Sequence, residues 1–147
     1  MVHFTSRVVG KVNIGKDVEA SFAVSGGCYV QGWNGVEIGK GTIFAPGVKI
    51  ISANHVLEDY ERSEDSPAIR IGKDCWVGAN AVILPGVELG DRVVVGAGAV
   101  VTKSFAAGSV VAGVPATVIK AVSEKPDEPS AGLREYQRIP NGIGPQA

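Results

Sequence analysis

The side chains best placed for proton transfer at neutral pH are two histidines, His3 and His55, the only ones in the 147-residue chain. Histidine changes charge close to physiological pH, so one at the mouth of a loop can serve as a general base. His55 fits that description. It sits in IISANHVLEDY, directly ahead of a stretch carrying Glu58, Asp59, Glu61, Glu64 and Asp65. The same side chain could equally do no more than hydrogen-bond that loop. A three-histidine zinc site is beyond a single chain with two histidines, although symmetric chains could pool their ligands. The cysteines, Cys28 and Cys75, lack CxxC spacing, and one pair in a chain of this length is not a disulfide framework. Reduced thiols in a cytoplasmic setting are the simpler reading.

What positions these residues is a repeat. Steps of six from Val2 reach Val8, Ile14, Ala20, Gly26, Gly32, Ile38, Phe44 and Ile50, all apolar or glycine. The residues four places after each start include Val12, Val18, Val24, Val30, Val36, Thr42 and Val48. The register fails near His55 and resumes with Ile71, Val77, Ile83, Leu89, Val95, Val101 and Ala107, accompanied by Cys75, Ala81, Val87, Val93, Ala99, Phe105 and Val111. A helix would show a period near 3.6 and an ordinary strand a period of 2. A period of six means a solenoid: each unit gives one short strand and one corner, and three units make a coil of 18 residues. Residues 2–55 are expected to form three coils and 71–106 two more, a prism about 25 Å tall at the spacing of strands in a sheet. Glycine at the second offset (Gly15, Gly39, Gly72, Gly78, Gly90 and Gly96) is expected to supply unusual backbone angles at corners. Pro46 and Pro85 share an offset with each other in the related strings FAPGVKI and ILPGVEL, where a missing N–H must be harmless.

Composition narrows the function classes. Lys and Arg total 14 against 15 for Asp and Glu, too balanced to attract a nucleic-acid backbone, and no run approaches the ~20 apolar residues of a membrane span. Residues 56–70 are expected to be a loop thrown out from one corner, and loops on rigid scaffolds often carry function. From Ser123 the repeat is gone, so 1–122 reads as one β domain and 123–147 as a tail, with GLREYQR a candidate for a short helix or a disordered segment. Two motif fragments carry nothing. Gly39-Lys40-Gly41-Thr42 lacks the first glycine of a phosphate loop, and Gly96-Ala97-Gly98 lacks the third glycine of a dinucleotide fingerprint. Cys75 falls on an inward offset and should pack rather than react.

The run from Cys28 to Val122 resembles the hexapeptide-repeat acyltransferases, in particular the branch of galactoside, maltose, xenobiotic and polysaccharide O-acetyltransferases. The resemblance rests on Asn54-His55, on IGKDCWVGANAVILPGVELGD at 71–91, on VVGAGAVVTKS at 94–104 and on VVAGVPATVIK at 110–120. It implies an all-β chain: a single-stranded left-handed parallel β-helix with one extruded loop, assembled as a homotrimer. It implies acetyl-CoA or another acyl-CoA as co-substrate, no metal, and a saccharide-type acceptor.

By the same resemblance His55 is the general base, while Trp76, Ala79, Ala97, Thr102, Lys103, Gly113, Val114, Pro115 and Lys120 meet the CoA. Asn54, Glu58 and Asp59 are candidate acceptor contacts. Ala79 and Ala97 are 18 residues apart, so they should stack in adjacent coils and leave a groove. The phase of the repeat puts His55 and Trp76 at different corners, so a cleft holding both would need a neighbouring chain. Trp76 could instead be an ordinary contact aromatic, and the two lysines surface charges. A zinc-dependent carbonic anhydrase or a non-catalytic scaffold would use the same architecture without CoA.

Overall fold

The computed structural model describes residues 1–121, so the tail, with its candidate helix, lies outside the described residues. The order is β1 (Arg7–Ile14), α1 (Glu19–Val24), β2 (Tyr29–Ile38), β3 (Ile43–Phe44), β4 (Lys49–Ile51), β5 (His55–Val56), β6 (Asp59–Ser63), β7 (Ile69–Ile71), β8 (Trp76–Val77), β9 (Val82–Ile83), β10 (Glu88–Leu89), β11 (Val94–Val95), β12 (Val100–Val101), β13 (Ser109–Ala112) and β14 (Thr117–Ala121). Among the described residues no helix is long and apolar enough to cross a membrane.

The short strands stack in parallel as three faces of a coil. The first face joins the leading halves of β1 and β2 to β4, β9 and β12; the second joins their trailing halves to β7 and β10. β3, β8, β11 and β13 make the third, which β14 extends in the antiparallel sense. Successive layers pair residues 18 apart, as in Trp76 with Val94 and Val82 with Val100, the expected coil of three six-residue units. Both repeat offsets point inward. Ile71, Val77, Ile83, Leu89, Val95 and Val101 are buried, and so are Cys75, Ala81, Val87, Val93, Ala99, Phe105 and Val111. A column of branched side chains thus fills the centre, each contributing about 1.5–3 kcal/mol on leaving water.

Several expectations are corrected. The first of the three coils expected for residues 2–55 is incomplete: β1 stacks on β2 along two faces, with Val8 and Val12 packed against the core and Val18 fully buried, but its third side departs from the repeat. There α1 replaces a strand, Ala20 and Val24 are exposed, and Ile14 is 44% exposed at the open end of the prism. Phe22 of α1 instead turns inward and meets Phe44 edge-on at 4.8 Å, closing that end. The loop also begins and ends earlier than 56–70: Ile69 is fully buried in β7, while His55 already belongs to the extruded β5–β6 hairpin. Strands flanking the loop pair 33 residues apart instead of 18, as in Val36 with Ile69. Near the end the repeat shortens by two at Thr102–Ser104, because Phe105 bridges Leu89 and Val110 pairs with Val94 at a separation of 16.

The second-offset glycines do not supply unusual angles. None of Gly15, Gly39, Gly72, Gly78, Gly90 or Gly96 has positive φ; left-handed residues recur instead at Asp74, Asn80, Gly86, Arg92 and Gly98. What excludes a side chain at Gly72 is the next layer, since a Cβ there would lie 2.6 Å from the Asp91 nitrogen and the Gly90 carbonyl carbon. Gly72→Ala should therefore cost about 2 kcal/mol and lower Tm by about 5 °C in thermal unfolding. Gly98→Ala, with open space but φ of +68°, should cost only about 1 kcal/mol. A smaller loss at Gly72 than at Gly98 would contradict the stacking explanation.

Candidate active site

Two corners of the first face carry most of the candidate residues. The corner leading from the first face to the second carries, in rising order, Trp33–Asn34, the hairpin with Asn54 and His55, Pro85–Gly86, and Thr102–Lys103. The corner leading from the third face to the first carries Ala79, Ala97 and Gly113–Pro115. There the Gly98 N–H donates to the Ala79 carbonyl oxygen at 2.8 Å and the Val100 N–H to the Gly113 carbonyl oxygen at 3.0 Å, so these small residues form one ascending track. The Val114–Pro115 peptide bond is cis, and the Ala116 N–H just beyond it donates to the Val100 carbonyl oxygen at 2.8 Å.

Trp76 lies on the third face, 53% exposed, in an outward row with Ile43, Val94 and Val110; Lys120 stands beside Val110 on β14. Lys103 points its ammonium over the Phe105 ring at 5.8 Å. The structure therefore groups Ala79, Ala97 and Gly113–Pro115, and separately places Thr102–Lys103 on the same corner as His55. It does not bring His55 and Trp76 into one cleft, as their phase in the repeat implied.

His55 is exposed at the start of the hairpin, with Asn54 at its side and Glu58 and Asp59 at its tip. Asp59 accepts a hydrogen bond from the Glu61 N–H at 3.1 Å, which shapes the turn, and Glu58 is exposed. Three residues in contact with the hairpin were not singled out in the sequence. Asn34 donates its backbone N–H to Ser52 Oγ at 3.0 Å, and its side-chain amide lies within hydrogen-bonding distance of the Ser52 and Glu64 carbonyl oxygens and of Ser66 Oγ. Gln31 exchanges hydrogen bonds with the Ala53 backbone. Both polar residues thus tie the base of the hairpin to the coil below, and every buried side-chain nitrogen and oxygen among the described residues has a partner. Trp33, the third, meets His55 edge to face with ring centroids 6.4 Å apart.

Cys75 is 1% exposed, its thiol 3.2 Å from the Gly90 carbonyl oxygen, and burial pushes its pKa up, with the negative Asp91 adding to the effect. It packs. Both cysteines are buried and free. Among the described residues no group of three or more His, Cys, Asp and Glu side chains could hold a metal ion. A concavity of about 510 Å³ lies elsewhere: an open trough on the second face over Glu37, Gly39, Arg70 and Gly72, crossed by the 3.2 Å Glu37–Arg70 ion pair. None of the candidate residues lines it.

Comparison with known proteins points to one group. A family described as hexapeptide repeat of succinyl-transferase matches residues 68–103. Galactoside O-acetyltransferase of Escherichia coli is 34% identical over 117 residues, covering 78% of this chain and 56% of that enzyme. A 2,3,4,5-tetrahydropyridine-2,6-dicarboxylate N-acetyltransferase of Staphylococcus aureus is 42% identical over 92 residues, covering 63% of this chain and 33% of the relative. The chain thus spans about half, or less, of the length of these relatives. Among solved structures, a hexapeptide-repeat acetyltransferase of Vibrio cholerae complexed with acetyl-CoA superposes with a TM-score of 0.69 at 26% identity, over 81% of this chain and 64% of that one. A galactoside acetyltransferase in complex with coenzyme A gives 0.67 at 28% identity, over 80% and 64%.

Proposed function

Because the chain is a hexapeptide-repeat protein related to the acetyltransferases of that group, we propose that it transfers an acetyl or similar acyl group from acyl-CoA to a hydroxyl or amine of a saccharide-type acceptor. The observation that carries this reading is the track of Ala79, Ala97 and Gly113–Pro115 along one corner. Small residues stacked in register leave a shallow, apolar channel in which a pantetheine arm can lie extended. Trp76 flanks the channel, and Lys103 and Lys120 are cations suited to the CoA phosphates. Thr102 sits next to Lys103 as a hydroxyl partner.

The coil is taken as left-handed and the assembly as a homotrimer, in which the His55 corner of one chain meets the Ala79–Ala97 corner of the next. That arrangement puts base and thioester in one cleft although a single chain separates them. In the reaction, His55 takes the proton of the acceptor hydroxyl or amine as its oxygen or nitrogen attacks the thioester carbonyl carbon. The tetrahedral intermediate then collapses, breaking the C–S bond, and the proton passes from the imidazole to the departing CoA thiolate. Backbone N–H groups stabilise the oxyanion. Neither a metal nor a covalent enzyme intermediate is needed. Asn54, Glu58 and Asp59 are the acceptor's hydroxyl partners in this reading. Two free thiols and a CoA thioester substrate fit a cytoplasmic setting.

Titration calorimetry of the full chain with acetyl-CoA is expected to show saturable binding, and free CoA should appear when amino sugars or simple glycosides are added. No heat with acetyl-CoA would leave the non-catalytic scaffold as the better account.

A further inference from the structure

The corner below the hairpin contains two residues more than the repeat requires. β2 pairs with β4 at a separation of 20, Tyr29 against Lys49, where undisturbed layers pair at 18. The excess falls within Gly32-Trp33-Asn34-Gly35, a bulge that exposes Trp33 and has Gly35 at φ of +95°. A bulge retained in a tightly stacked coil re-aims a side chain. Here Asn34 fixes the bulge from behind: its three amide partners and its own N–H hold Ser52, on the segment entering the hairpin, and Glu64 and Ser66, on the segment leaving it. Trp33, next to this clamp, is therefore held rather than free. Its ring stands at 85° to that of His55 with centroids 6.4 Å apart, inside the range in which aromatic pairs favour edge-to-face contact. Yet 54% of the residue remains exposed, so core packing does not explain it.

We propose that Trp33 is the acceptor platform: its indole holds the apolar C–H face of a pyranose ring so that a ring hydroxyl, or an amine in its place, meets the His55 imidazole. The assignment rests on the acetyltransferase reading and adds a specificity determinant to it. A pyranose fits because its polar groups lie around the rim and its flat face is C–H, matching an aromatic surface flanked by hydrogen-bonding groups. The hairpin supplies those groups in Glu58, Asp59 and Glu61, acceptors for hydroxyl or ammonium donors. Their negative charge disfavours a phosphate-bearing acceptor.

The test compares methyl β-galactopyranoside and glucosamine with glycerol, an acyclic alcohol that has no ring face, following CoA release by the wild-type chain, Trp33→Ala and Trp33→Tyr. The wild type should use a pyranose with kcat/KM at least about ten-fold above that for glycerol. Trp33→Ala should raise the pyranose KM about ten-fold and lower the pyranose-to-glycerol ratio of kcat/KM while leaving the acetyl-CoA KM within about two-fold, and Trp33→Tyr should recover most of the loss. Two results would overturn the assignment: a wild-type preference for glycerol, or an alanine variant whose pyranose KM is unchanged or whose acetyl-CoA KM rises in step. If the wild type binds no acetyl-CoA by calorimetry, the acetyltransferase reading itself falls, and the platform with it; a failure confined to the pyranose data removes only the platform.

Discussion

Substituting His55 with alanine is expected to lower kcat for acyl transfer by a factor on the order of 10² to 10⁴, the usual contribution of a positioned general base. The fold should not suffer, because the side chain is exposed and the hairpin is held through backbone groups: His55 pairs with Ser63, and the Asn54 carbonyl oxygen accepts from the Glu64 N–H at 2.8 Å. Binding of acetyl-CoA should likewise survive, since the track of small residues lies at the other corner of the first face. The diagnostic result is thus a loss in kcat with acetyl-CoA affinity and Tm both close to wild type, read from CoA-release kinetics, calorimetry and thermal unfolding of one preparation. A near-wild-type kcat would remove His55 as the base. A parallel loss of acetyl-CoA affinity would mean that the histidine holds the co-substrate instead.

His55 was legible in the sequence because it stands where a regular pattern stops. From Val30 to Ile50 and from Ile71 to Val101 both offsets of the repeat are inward positions, so the sequence there reports the layers directly. The failures have physical reasons. Between Val18 and Val30, steps of six through a chain rich in valine, alanine and glycine meet the exposed Ala20 and Val24 by coincidence, and α1 is too short to impose a helical period on its neighbours. The two-residue excess at Trp33–Asn34 and the two-residue deficit at Thr102–Ser104 leave both flanking segments apolar, so only the strand pairing reveals them. Asn34 and Gln31 were missed for a related reason. Their partners are backbone groups of the hairpin, about 20 to 30 residues away, and no local spacing marks such a contact. The glycines were placed correctly but for the wrong cause: layer-to-layer contact forbids a Cβ at Gly72, whereas the positions of unusual φ accept Asp74, Asn80 and even Arg92.

Ala97→Phe should weaken acetyl-CoA binding by about 10²-fold, close to 2.7 kcal/mol, and is the sharpest test of where the pantetheine arm lies. Ala97 is exposed, directly above Ala79, and next to Gly98, whose Cβ position has no atom within 4 Å. A phenyl ring there has room to stand outward without entering the core, so Tm should fall by no more than a few degrees. It would nevertheless occupy the track between Ala79 and Gly113, and a ligand lying along the corner cannot share that space. Ala97→Ser serves as the control, adding one oxygen and leaving the channel open, and should bind acetyl-CoA within a few-fold of wild type. Sedimentation velocity on both variants separates the two ways the phenyl could act. With the assembly intact, the lost affinity reports direct obstruction of the track. If the phenyl variant dissociates while the serine variant does not, the corner is chiefly a contact between chains, and the thioester is held by Trp76 and the lysines instead. Unchanged affinity in an intact assembly would move the pantetheine off this corner altogether, and would take with it the reason for pairing the Ala79–Ala97 corner of one chain with the His55 corner of another.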